Sequence, residues 1–128
     1  MDEILKTIIL VVEDDEDILE LIRVIFMGLR GYQILCTRDG EEALKIIKKG
    51  KPDVILLDLQ IPKLDGYKVC KLVKTDTSLS HIKVIMISGM AQNSDWRKAQ
   101  EAGADGYIVK PFMPGTLLEK VEEALTSK

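Results

Sequence analysis

Apolar residues fall along this chain in two alternating rhythms. Short runs of strand formers, Ile8–Val12, Tyr32–Thr37, Val54–Leu57, Lys83–Ile87 and Tyr107–Val109, predict five strands. Between them apolar positions recur every three or four residues, the period of a helix with one buried face. The first helix is expected to carry Ile18, Leu21, Ile22, Ile25 and Leu29 on its inward stripe and to stop within Gly28–Gly31. The second, Glu41–Lys49, turns Ala43, Leu44 and Ile47 inward and is closed by Gly50 and Pro52, since proline cannot continue a helix and glycine caps one. Gly66–Lys74 follows with Val69, Cys70 and Val73 on one face. Asn93 or Ser94 is the expected cap of a fourth helix running through Ala102 and ended by Gly103, and a fifth begins near Pro114 with Leu117, Leu118, Val121 and Leu125 inward. No internal repeat or low-complexity segment interrupts the alternation.

Strands this apolar are buried on both faces, which implies an α/β fold: a doubly wound, five-stranded parallel sheet with helices on each side. The flavodoxin-like order 2-1-3-4-5 would place a switch point between the first and third strands, and ligands of such sheets bind beyond the carboxyl ends there. Those ends carry the chemistry. The first strand stops at Glu13-Asp14-Asp15, the third at Asp58 ahead of Pro62 and Gly66, the fourth at Ser88-Gly89, and the fifth at Lys110-Pro111. An aspartate after a strand commonly just organises a turn. Here Asp14 and Asp58 would meet in one crevice, and clustered carboxylates raise one another's pKa unless a cation neutralises them. A hard divalent ion such as Mg2+, which keeps several waters and takes one or two carboxylates, suits that need.

The 128 residues suit one domain, spanning 1–128. A net charge of −3, with acids and bases interspersed, gives no footprint for direct nucleic-acid binding. No apolar stretch approaches the ~20 residues needed to cross a bilayer. The N-terminus, with Asp2 and Glu3 before its first lysine, lacks the pattern of a signal peptide, so no membrane association and a cytoplasmic location are expected. Cys36 and Cys70 stand in apolar patterns without metal-type spacing and read as reduced packing residues.

Taken in register, Glu13-Asp14, Asp58, Pro62 to Gly66, Ser88-Gly89 and Lys110-Pro111-Phe112 closely resemble the receiver domain of two-component response regulators, the chemotaxis-regulator-like phosphoacceptors of histidine kinases. The resemblance covers nearly the whole chain. It implies a signalling domain that catalyses only its own phosphorylation and dephosphorylation, with Asp58 as phosphoacceptor. Mg2+ would be held by Asp14, Asp58 and the backbone carbonyl of Gln60, with Glu13 holding a metal-bound water. Lys110 would supply a compact positive charge and Ser88 a hydroxyl to the phosphoryl oxygens. Ser88 and Tyr107 would form the switch, and the face of the fourth helix, fifth strand and fifth helix would be read out, with Trp96, Tyr107 and Phe112 enriching it. Partners would be a histidine kinase or histidine phosphotransfer protein, then a downstream protein or linked output domain, with phosphorylation-dependent dimerisation a further expectation. The resemblance also implies a cis Lys110-Pro111 bond. Gln60 and Met90 stand at the two positions that tune the lifetime of the phosphoryl group.

Other classes fit less well. A phosphatase using an aspartate nucleophile needs a second acid two residues on as general acid, and Gln60 cannot serve. A flavin carrier needs a hydroxyl- and glycine-rich phosphate loop after the first strand, where Glu13-Asp-Asp-Glu-Asp17 would repel phosphate. The remaining rival is a phosphorylation-independent interaction module that keeps this fold, against which the joint presence of Asp14, Asp58, Ser88 and Lys110 argues. The sequence leaves open a stand-alone regulator, a phosphorelay intermediate or a receiver cut from a longer protein.

Overall fold

A computed structural model of the protein describes residues 6–50, 52–61, 65–89 and 92–127. Its strands are β1 (Thr7–Val12), β2 (Tyr32–Thr37), β3 (Val54–Asp58), β4 (Lys83–Ser88) and β5 (Gly106–Val109). They alternate with helices α1 (Glu16–Met27), α2 (Gly40–Gly50), α3 (Gly66–Thr75), α4 (Asn93–Glu101) and α5 (Pro114–Thr126). All pairings are parallel and the order is β2-β1-β3-β4-β5, as the doubly wound reading requires. Both β3 and β4 run one residue further than their apolar runs, so Asp58 and Ser88 are the last residues of their strands.

Side chains alternate across a sheet, and the core divides accordingly. Leu10, Val12, Ile55, Leu57, Val84 and Met86 face α2, α3 and the end of α4. Their neighbours Ile9, Val11, Val54, Leu56, Ile85 and Ile87 face α1 and α5. The central strands are therefore covered on both sides, which is why they read as unbroken apolar runs.

The helices depart from the sequence reading in three places. In α1 the buried positions are Leu19, Ile22 and Phe26; Leu21 and Leu29 are exposed, and Leu29 lies past the helix end. Ile22 is in the core and Ile18 and Ile25 pack against it, as expected; the centre of the stripe lies at Leu19 and Phe26 instead because α1 has apolar residues on more than one face and spacing alone does not fix its centre. Phe26 decides the orientation by meeting the ring of Tyr32 edge to face, with centroids 5.1 Å apart. In α5, Ala124 rather than Leu125 completes the buried set with Leu117 and Val121. The N-cap of α4 is Gln92, whose N–H donates to the Asp95 carboxylate at 3.1 Å, so Asn93 and Ser94 lie already inside the helix.

Away from the acidic strand ends, one ion pair ties three elements together. Lys74 Nζ of α3 lies 2.7 Å from Asp105 Oδ2 and donates to the Ile82 carbonyl at 2.7 Å, while Asp105 Oδ2 accepts from Val84 N–H at 2.8 Å. Gly103 turns the chain out of α4 at φ 93°, a left-handed conformation that side chains disfavour, and passes directly against the Lys74 stem.

The corrected orientation of α1 can be tested with two identical substitutions. Leu19→Ala removes a buried side chain and should cost roughly 2–5 kcal/mol, whereas Leu21→Ala, on the exposed side, should cost less than about 1 kcal/mol. Urea unfolding of the two variants measures the difference, and equal losses would contradict the orientation.

Candidate functional site

The register of the sheet brings the acids together. β1 and β3 pair Val12 with Leu57, so one residue further on Glu13 lies opposite Asp58. Alternation turns both toward the α1 and α5 side, following Val11 and Leu56. Ile108 of β5 faces the same side, and two residues later so does Lys110. Lys110 Nζ sits 2.7 Å from Asp58 Oδ2 and 3.0 Å from Glu13 Oε1. Its backbone N–H donates to the Ser88 carbonyl at 2.7 Å, and the Lys110-Pro111 bond is cis, as expected.

Asp58 is fixed from both sides. Oδ1 accepts the Gln60 N–H at 2.8 Å while Oδ2 accepts from Lys110, and the turn is held by Leu59 N–H donating to the Ile87 carbonyl. Gly66, at the start of α3, packs against this turn. A Cβ there would lie 3.2 Å from Leu59 Cα and 3.3 Å from the Asp58 carbonyl oxygen, closer than ordinary contact, so any larger residue would require the turn to give by a few tenths of an ångström. Asp65 caps α3 by accepting the Tyr67 N–H at 2.8 Å.

Glu13 and Asp58 are 1% and 3% exposed, and one ammonium serves both. Burial, together with a hydrogen bond to Asp58, raises the Glu13 pKa from 4.5 to about 7. Burial also opposes ionisation of Asp58, but hydrogen bonds from Glu13, Lys110 and the Gln60 N–H outweigh it and lower its pKa. Lys110 likewise overcomes desolvation through its two carboxylate partners and is shifted upward. The metal-free cluster is therefore an ionised Asp58, a Glu13 that retains its proton below about pH 7, and a charged Lys110.

Once Glu13 ionises, above about pH 7, the cluster carries two negative charges to one positive, and the 3.0 Å approach of Lys110 to Glu13 Oε1 is an ion pair without the geometry of a hydrogen bond. Asp14, next in sequence, is exposed. Among the described residues no three acid, histidine or cysteine side chains gather as a ready-made metal site. A largely hydrated magnesium ion does not need three, because two carboxylates and a carbonyl suffice as the protein's share. By the chemistry of its donors, a set of Asp14, Asp58 and the Gln60 carbonyl beside the buried Glu13 carboxylate would suit that ion.

The remaining sequence-predicted residues divide by side of the sheet. Ser88 is fully buried and follows Met86 on the α2–α3–α4 side, where Tyr107 also packs. Tyr107 meets Trp96 edge to face with ring centroids 5.8 Å apart, in a groove of about 530 Å³ that also involves Gln92, Val109, Lys120 and Ala124. Phe112 does not join them: it packs into the α1–α5 core and lines a groove with Ile18 and Leu21. Pro62 and Met90 lie outside the described residues. Sequence reasoning missed Arg38, whose guanidinium donates to the Asp14 carbonyl at 3.2 Å and pairs with Glu16 at 3.1 Å. Its signal was a base following β2, at the same sheet end as the acids.

The model of the response regulator receiver domain matches residues 9–122. This chain belongs to that family. The receiver is 38% identical over 120 residues to the "Probable transcriptional regulator ycf27" of Porphyridium aerugineum, covering 94% of this chain and 48% of that protein. It is 34% identical over 117 residues to the polar-differentiation response regulator DivK of Brucella anthropi, covering 91% of this chain and 94% of DivK. The chain thus spans about half the length of several curated relatives it matches. Among solved structures, the receiver domain of the sensor histidine kinase PA1611 of Pseudomonas aeruginosa superposes with a TM-score of 0.85 at 26% identity, covering 95% of this chain and 99% of that one. That structure has a magnesium ion coordinated in its active-site cleft.

The raised pKa of Glu13 gives the receiver a defined pH dependence. Between about 4.5 and about 7 the folded state keeps a proton that the unfolded state has released, so the Glu13 contribution to stability is full below pH 4.5 and is lost as pH rises through 7. Asp58, shifted below 3.8, and Lys110, shifted above 10.5, act outside that window. Glu13→Gln cannot ionise, so in EDTA it should gain stability relative to the parent from about pH 5 to about pH 8 in urea unfolding. A difference that stays constant with pH would contradict the shift.

Proposed function

We propose that this receiver accepts a phosphoryl group on Asp58 from the phosphohistidine of a histidine kinase or phosphotransfer protein. The observation that carries this reading is the state of Asp58: buried, ionised, and held at both oxygens by Gln60 N–H and Lys110. An Asp58 oxygen attacks phosphorus; the new O–P bond forms as the P–N bond to the donor imidazole breaks, and the imidazole leaves as a neutral base after taking up a proton. The difficulty in such transfers is charge on the three equatorial oxygens. Asp14, Asp58 and the Gln60 carbonyl would hold magnesium, with Glu13 reaching it through water, and the ion would supply positive charge to those oxygens. Lys110 Nζ moves from bridging two carboxylates to balancing the phosphoryl group, and the Ser88 hydroxyl takes another oxygen. The magnesium in the PA1611 receiver cleft supports this reading.

Ser88 and Tyr107 would then report the modification to the α4–β5–α5 face, where Trp96 and Tyr107 line the groove. A downstream protein, an output domain on the same chain or a second phosphorylated copy would read that face. The reaction is one the domain performs on itself, in the cytoplasm; no described helix is long and apolar enough to cross a membrane.

With magnesium and a small phosphodonor, intact mass should show addition of one phosphoryl group. Asp58→Ala should abolish it and Asp14→Ala should raise the magnesium needed; equal labelling of Asp58→Ala would overturn the site. A further expectation concerns persistence. Hydrolysis needs a water held in line with phosphorus, which Gln60 can hydrogen-bond and the thioether of Met90 cannot orient well. Replacing Met90 with glutamate should therefore speed loss of the phosphoryl group after donor removal while leaving its formation unchanged, and a slower or unchanged decay would exclude that role for Met90.

A further inference from the structure

Loop 13–16 must present Glu13 and Asp14 toward Asp58 although Glu13-Asp-Asp-Glu-Asp17 is an unbroken acidic run. Part of its shape is local. Asp15 caps α1 by accepting the Asp17 N–H at 2.8 Å, and the Asp15 N–H donates to Glu13 Oε2 at 3.2 Å. The rest comes from the end of β2. The Thr37 carbonyl accepts the Glu13 N–H at 3.0 Å, and the next residue, Arg38, reaches both sides of the following turn. One guanidinium nitrogen, Nη2, donates to the Asp14 carbonyl at 3.2 Å, and the other, Nη1, lies 3.1 Å from Glu16 Oε1.

We propose that Arg38 is a positioning residue for the metal-binding loop, clamping the peptide that follows Asp14 so that the Asp14 carboxylate is aimed at the ion. The inference rests on the magnesium reading above. The planar fork of arginine is what permits it, since two nitrogens of one rigid group hold a carbonyl and a carboxylate at once, whereas lysine offers a single point charge. The carbonyl of Asp14 belongs to the peptide linking it to Asp15, so holding it fixes the backbone from which the Asp14 side chain springs. Edge strand β2 thereby contributes to a site whose other members come from β1, β3, β4 and β5.

A role through charge alone makes the opposite forecast, and this separates the two. A cation beside the loop repels magnesium, so if charge were all that mattered, Arg38→Ala would bind the ion more tightly and Arg38→Lys would bind it like the parent. Clamping requires both variants to bind more weakly, by about three- to tenfold, the worth of one or two modest hydrogen bonds. The experiment is titration of the parent, Arg38→Ala and Arg38→Lys with magnesium chloride, followed by amide chemical shifts, with urea unfolding midpoints measured in parallel. Weaker binding in both variants, with midpoints near that of the parent and phosphorylation restored at saturating magnesium, is the expected result. Parent-like binding in Arg38→Lys, or tighter binding in Arg38→Ala, would overturn the clamp while leaving the metal site intact. Absence of saturable binding in the parent would instead overturn the magnesium reading and the clamp with it.

Discussion

Two buried carboxylates sharing one ammonium is the constraint around which the rest of this molecule is arranged. Burying a carboxylate is expensive unless it is paired and hydrogen-bonded, and Glu13 and Asp58 are both almost inaccessible. Lys110 offsets that cost for one of them, and a retained proton does so for the other. Above about pH 7 that proton is lost, and the two carboxylates then face a single positive charge. Lys110 comes from the end of edge strand β5, so the balance depends on the sheet keeping β1, β3, β4 and β5 in register.

The structural frame that fixes this register is ordinary close packing. Two apolar layers cover the sheet, and the Lys74–Asp105 pair ties α3 to the segments entering β4 and β5 at the end remote from the acids. Gly66 draws α3 against the turn after β3 so closely that Asp58 and Leu59 have little room to shift. Cys70 illustrates how fully this side is closed: burial pushes its thiol up to about 12, and it serves packing rather than chemistry.

Much of this was legible in the sequence because its cause is local. A strand covered on both faces must be apolar throughout, so Val54–Leu57 and Lys83–Ile87 announce themselves, and the polar residue ending each run announces a site. What was not legible depends on direction. By spacing the stripe of α1 could be Ile18, Leu21, Ile22, Ile25 and Leu29 or be centred on Leu19, Ile22 and Phe26, and contact with β2 and the sheet selects the second, leaving Ile18 and Ile25 at its margin and Leu21 exposed. Phe112, two residues from Lys110, turns toward α1 instead of joining Trp96 and Tyr107, a matter of which way the chain leaves β5. Arg38 makes its contacts to residues more than twenty positions earlier, and no periodicity encodes such a reach.

The alternation along β5 has one more consequence. Tyr107 belongs to the layer formed by α2, α3 and α4, while Lys110, three residues on, belongs to the opposite layer with Glu13 and Asp58. The sheet is thus a partition, with the Glu13–Asp58–Lys110 cluster on one side and the aromatic pair on the other. Ser88 stands at the partition's rim: its side chain lies on the aromatic side, while its carbonyl holds the Lys110 N–H. The short span from Ser88 to Lys110, closed by that hydrogen bond, is where the two compartments share a wall.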